Sequence, residues 1–128
     1  MKTITAFAPV LVIANGTINI DFYKAAFNAV ENFCLRNDDG SIHVAELVID
    51  GAVFHLHEIT AFSRTVPATL GKGTVNIGLF VDDVHAVFNQ AIAAGATGAM
   101  PVTDFDYGYR QGELIDPFGH KWIIEKKL

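Results

Sequence analysis

The sequence carries one short phrase twice. Glu46-Leu47-Val48-Ile49-Asp50-Gly51 is echoed 67 residues later by Glu113-Leu114-Ile115-Asp116-Pro117-Phe118-Gly119, and each copy leads into a last strand-like run. The surrounding pattern repeats as well. Phe7 to Ile13 is almost continuously apolar, Asn15-Gly16 breaks it, and a helical stretch with Ile18, Phe22, Ala25, Ala26 and Ala29 follows. A strand around Glu31 to Arg36 and the turn signal Asp38-Asp39-Gly40 come next. Ile42 to Ile49 and Ala52 to His57 then flank Asp50-Gly51, a dipeptide suited to a two-residue hairpin. Ile59 to Gly73 has no clear period, holds Pro67 and reads as a linker. Thr74 to Val81 restarts the phrase as a strand. Asp82-Asp83 stands where it can cap a helix from Val84 to Ala94, ended by Gly95. Three strands close the chain, around Ala99 to Val102, Gly108 to Ile115 and His120 to Glu125. Each half thus reads β-α-β-β-β. Such a unit, about 60 residues long, is too small to bury a sheet face alone. The expectation is one α+β domain of two βαβββ modules, about residues 1–60 and 74–128, joined by a linker at about 61–73.

Composition narrows the function classes. With 51% hydrophobic residues the 128-residue chain is no disordered segment, and its net charge of −5 argues against nucleic acid or anionic membranes as partners. No apolar run reaches the ~20 residues of a membrane helix, and the first residues read as a strand ending in a turn, not a secretory signal. The single cysteine, Cys34, cannot form an intrachain disulfide. These points predict a cytoplasmic protein whose partner is a small neutral or cationic ligand, or another protein.

Three segments carry a likeness. Ile20-Asp21-Phe22-Tyr23-Lys24-Ala25-Ala26-Phe27, Val81-Asp82-Asp83-Val84 and Asp116-Pro117-Phe118-Gly119-His120-Lys121-Trp122 resemble the vicinal oxygen chelate superfamily of glyoxalase I, extradiol dioxygenases and bleomycin-resistance proteins. The closing motif, with Tyr107-Gly108-Tyr109-Arg110 before it, looks most like the PhnB-like branch. The resemblance implies a glyoxalase/bleomycin-resistance type of fold, two modules whose mixed sheets curl into a cup, and pairing of two chains as a homodimer. It does not imply one chemistry, because the scaffold hosts lyases, isomerases, oxygenases and drug binders.

Metal-dependent members hold a divalent ion at four positions, which the motifs map to Ala8, His55, Asn76 and Ile123. Both 8 to 76 and 55 to 123 span 68 residues, so the repeat gives the same register. Ala8 and Ile123 cannot coordinate, and Asn76 is a poor ligand for a transition metal. His55 alone falls short of the usual three protein ligands. No metal or other cofactor is therefore expected. Strand alternation offers one alternative. Val53, His55 and His57 share a face opposite Phe54 and Leu56; Tyr109, Gln111 and Glu113 share a face opposite Leu114; Glu125 lies beside Ile123. His55, His57 and Glu113 or Glu125 could then form a displaced divalent-metal site.

Other residues have plainer roles. His120 is expected to fix a turn through a backbone hydrogen bond, His43 and His85 to be solvated, Cys34 to be a buried small hydrophobe, and Trp122 and Ile124 to be core. Gly71-Lys72-Gly73-Thr74 lacks phosphate-loop spacing. Phe105, Tyr107 and Tyr109 are candidate ligand-contacting aromatics. The expected function is metal-free binding of a small molecule, planar or cationic, in the cup. The expected site residues are His55, His57, Asn76, Tyr109, Gln111 and Glu113. The alternatives are a metal-dependent glyoxalase- or dioxygenase-type enzyme, a metal-free one using His55 or His57 as a base oriented by Glu113, and a dimeric interaction module without ligand.

Overall fold

A computed structural model describes residues 4–60 and 74–128. The linker expectation at 61–73 lies outside the described residues. The first half runs β1 (Val10–Ile13), α1 (Phe22–Phe27), β2 (Val30–Arg36), β3 (Ile42–Ile49) and β4 (Ala52–Glu58). The second runs β5 (Asn76–Phe80), α2 (Val84–Ala94), β6 (Thr97–Asp104), β7 (Tyr109–Ile115) and β8 (Lys121–Lys127). Each half builds a four-stranded mixed sheet, ordered β1-β4-β3-β2 and β5-β8-β7-β6, in which the first and last strands of the module pair in parallel. The sheets do not close. Among the described residues no helix is long and apolar enough to cross a membrane.

Local chemistry sets these boundaries. Asp50 and Gly51 both adopt positive φ (46° and 85°), the conformation a two-residue hairpin turn requires, so Ile49 pairs with Ala52 and Glu46 with His55. Asp83 caps α2 by accepting from the Ala86 amide at 3.0 Å, and Gly95 ends it at φ 123°. Helix α1 is shorter than its apolar spacing suggests. Asn19 accepts from the Asp21 amide ahead of it, and Asn28, left-handed at φ 57°, returns its own N–H to the Tyr23 and Lys24 carbonyls. Ile18 is consequently outside the helix and exposed, and Tyr23, fully buried, takes the core position. Strand β1 likewise begins at Val10, not Phe7; Phe7 is entirely exposed.

The inner faces of both sheets pack on the helices around one continuous core that includes Leu11, Phe54, Leu56, Leu114, Trp122 and Ile124. Gly112 belongs to that face: a Cβ there would meet the Phe88 ring at 2.8 Å. The modules are fastened by the residues of the closing motif. Asp116, 3% exposed, accepts from the Tyr23 hydroxyl at 2.6 Å and the Trp122 indole at 2.9 Å on one oxygen. Its other oxygen accepts from the amides of Phe118 and His120 at 2.9 and 3.0 Å. His120 does make a backbone hydrogen bond, but to Val12 of the other module, at 2.9 Å.

Candidate functional site

With the helix-facing side filled, the opposite sheet faces are left half-open. Across the first sheet, Phe33, Glu46, His55 and Val10 are successive cross-strand partners; Leu35, Val44, His57 and Val12 form the next row. Across the second, Met100, Glu113, Ile123 and Gly78 form one row, and Thr103, Gln111, Glu125 and Phe80 the other. The repeat survives in these rows, where Glu46 matches Glu113, His55 matches Ile123 and His57 matches Glu125.

A cleft of about 600 Å³ lies where the two modules meet, with Glu46, Val53 and His55 on one wall, Gly78 and Leu79 on the other, and Trp122 among its lining. His55 Nε2 lies 2.8 Å from Glu46 Oε1, and Asn32 donates to Glu46 Oε2 at 2.8 Å. The Asn32 amide, then the His55 ring, hold the Glu46 carboxyl below the usual carboxylate range. A carboxylate accepting from Nε2 leaves Nδ1 as the ring's basic nitrogen.

The other residues expected at a site go elsewhere. His57 faces a separate cleft of about 260 Å³ with Val10 and Val12, its Nδ1 on the Glu58 carbonyl at 2.8 Å. Its ring meets the edge of His43, which is paired with Glu58 at 2.7 Å instead of being simply solvated. Asn76 is exposed at the start of β5. Glu113 pairs with Lys121 at 2.5 Å. Gln111 donates to Glu125 Oε1 at 2.8 Å and accepts from the Tyr107 hydroxyl. Tyr107 stacks on Phe105 and tilts toward Tyr109, which meets the edge of Phe80. The structure thus joins Gln111 to Glu125 and the tyrosines, and joins His55 to Glu46. It does not bring His55, His57 and Glu113 together.

Comparison with known proteins settles the lineage. Residues 10–124 match the family model described as the Glyoxalase/Bleomycin resistance protein/Dioxygenase superfamily. The chain belongs to that superfamily. An uncharacterized protein of Mycobacterium bovis is 38% identical over 123 residues, covering 93% of this chain and 81% of its own length. A gene product of Arabidopsis thaliana has a similar structure, with a TM-score of 0.75, 25% identity and coverage of 97% of this chain and 100% of that one. A fosfomycin resistance protein, FosX, of Mesorhizobium loti shares the fold at a TM-score of 0.66 and 10% identity, covering 99% of this chain and 95% of its own.

The superfamily implies a divalent metal in some members, and the donor set here does not fit one. Of the four mapped positions, Ala8 and Ile123 have side chains without a donor atom and Asn76 is an exposed amide, which leaves His55 as the one strong donor, short of the usual three. The displaced alternative does not fit either. His55 and His57 face different clefts, Glu113 is neutralised by Lys121, and among the described residues no three His, Cys, Asp or Glu side chains gather as a metal-holding group.

Glu46 and Asn32 were not singled out from the sequence as part of a site. Counting outward from the Asp50-Gly51 turn sets Glu46 opposite His55, so that half of the dyad was legible. Asn32 was not, because β2 slips register between Glu31 and Phe33.

Proposed function

We propose that this protein binds a small organic molecule in the cleft between its modules, without a divalent metal, and that two copies pair to complete the cup. The cleft carries the reading. Its size is that of a ligand pocket, and its mostly apolar lining with a few fixed polar groups is the pattern such pockets show. Pairing is supported by apolar side chains left open on the sheets, with Val10 57%, Leu35 55% and Phe80 63% exposed. The closing Asp116-to-Trp122 motif supports the PhnB-like branch, and the acidic chain with one cysteine suits the cytoplasm.

Titration of a neutral aromatic fragment set into labelled protein is expected to shift the amides of Val53, His55 and Gly78 together, and Val53→Trp to abolish those shifts while the fold persists. Shifts confined to other surfaces would contradict the reading. Elution at the 13.9 kDa chain mass instead of twice it would remove the paired form.

One observation favours a second reading. The Asn32–Glu46–His55 chain is built as a positioned base is built, with Glu46 in the orienting role that the sequence suggested for Glu113. On that reading, a bound carbon acid exchanges its proton with deuterated solvent, and His55→Gln stops the exchange without weakening binding.

A further inference from the structure

The parallel ladder of the first module stops two pairs short of its repeat. In the second module β5 meets β8 from Asn76 opposite Lys121 and Ile77 opposite Trp122 onward. The matching pairs of the first module, Ala8 with Val53 and Pro9 with Phe54, are missing, and β1 meets β4 only from Val10 opposite His55. Proline accounts for the difference. It has no N–H to give the ladder, and it stands where the repeat places Ile77.

The hydrogen-bond pattern names the backbone groups left over. The His55 N–H donates to the Pro9 carbonyl at 2.9 Å, so His55 turns its N–H and C=O toward β1, and Val53, two residues back, does the same. The hairpin gives the same answer. Ile49 and Ala52 close the two-residue turn as a hydrogen-bonded pair, which makes Val48 and Val53 a non-bonded one. In a continuous ladder the Val53 C=O would accept an N–H from position 9, where proline has none, and its N–H would donate to Phe7. Among the described residues that second bond is not formed either. Because β4 lies between β1 and β3, this is a gap inside a sheet and not the free edge that every open sheet has.

The gap opens on the cleft, whose lining includes Phe7, Pro9, half-buried Val53 and His55. In an extended residue the N–H and C=O lie side by side and point the same way. Their complement is a planar group with an adjacent acceptor and donor, the edge that a cis amide presents. A trans amide sets its two groups on opposite sides, and a lactone or ketone offers acceptors alone, so neither can engage both.

We propose that the backbone gap at Val53 is the recognition element of the cleft, and that it takes a lactam or a like cis-amide edge, which accepts from the Val53 N–H and donates to the Val53 C=O. The assignment rests on the cleft reading above and names its ligand class.

The probes are 2-quinolone and coumarin, planar and neutral, which differ by a ring N–H replaced by oxygen; each is titrated by NMR into wild type and Pro9→Ala. In the free wild-type protein, hydrogen exchange is expected to show about tenfold or more lower protection at the Val53 amide than at His55, and saturation with 2-quinolone is expected to close that difference. The lactam is expected to bind about tenfold more tightly than the lactone, because coumarin leaves the Val53 C=O without a donor and sets a ring oxygen against it. P9A supplies an N–H to that carbonyl and is expected to erase the margin, with coumarin binding unchanged within twofold. Equal protection of Val53 and His55 in the free protein, or a margin that survives P9A, would overturn the proposal. Lactam and lactone binding equally in the cleft sinks the proposal alone. Absence of shifts at Val53, His55 and Gly78 with both probes and with the neutral fragments sinks the cleft reading too.

Discussion

Asp116→Ala is expected to lower the free energy of unfolding by about 3–5 kcal/mol, because it removes a buried carboxylate that four donors address. Two of those donors, the Tyr23 hydroxyl and the Trp122 indole, are themselves buried and would be left unpaired. The remaining two hold the turn that sends His120 to Val12. Asp116→Asn keeps one acceptor oxygen and is expected to cost less, about 1–3 kcal/mol. Urea denaturation followed by circular dichroism measures both; a loss below about 1 kcal/mol for the alanine variant would show that Asp116 does not fasten the modules. The same contact sets an alkaline limit. Burial, then the Asp116 charge, raise the Tyr23 pKa well above its ordinary value. The folded state therefore keeps Tyr23 protonated, and its contribution is whole below the unfolded pKa of about 10 and lost as pH rises from there toward the folded value. Tyr23→Phe should flatten that alkaline decline.

Trp122→Ala is expected to cost about 3–5 kcal/mol, the range for removing a large aromatic from a packed core. Trp122 is 1% exposed, and its ring lies 4.9 Å from Phe27, 5.7 Å from Phe54 and 6.0 Å from Tyr23, measured between centroids. Residues of the first module thus pack on a side chain of the second. Trp122 also lines the cleft, so its removal deepens the candidate site as well as the core. Trp122→Phe keeps a ring but loses the indole donor to Asp116, and an intermediate cost is expected. Because Trp122 and Asp116 share that hydrogen bond, the double variant should fall short of additivity by about 0.5–3 kcal/mol. Full additivity would mean that the two residues act separately.

The fold was largely legible because its signals are local. Asp50-Gly51 and the Asp83 and Gly95 caps fix β3, β4 and α2 close to where the pattern puts them, and alternation sorts Phe54, Leu56, Leu114 and Trp122 to the helix side. Helix α1 was overextended because apolar spacing cannot see that the Asn19 turn delays the start to Phe22, or that Asn28 turns left-handed and ends the helix at Phe27. Face assignment at the site held, since His55 and His57 do share a face. Convergence did not follow from it. Each side chain finds a partner in three dimensions that spacing does not encode: Glu46 for His55, the Glu58 carbonyl for His57, Lys121 for Glu113. The clasp between modules was hidden for the same reason, Tyr23 and Asp116 being 93 residues apart.

Metal dependence of fragment binding tests the central claim most directly. Protein freed of metal by chelation is titrated with a neutral aromatic fragment that shifts the His55 and Gly78 amides, first alone and then with excess zinc, nickel or manganese. A Kd unchanged within twofold in every condition is the expected result, since the mapped positions offer His55 and no second strong donor. Binding that appears only after a metal is added would contradict the account.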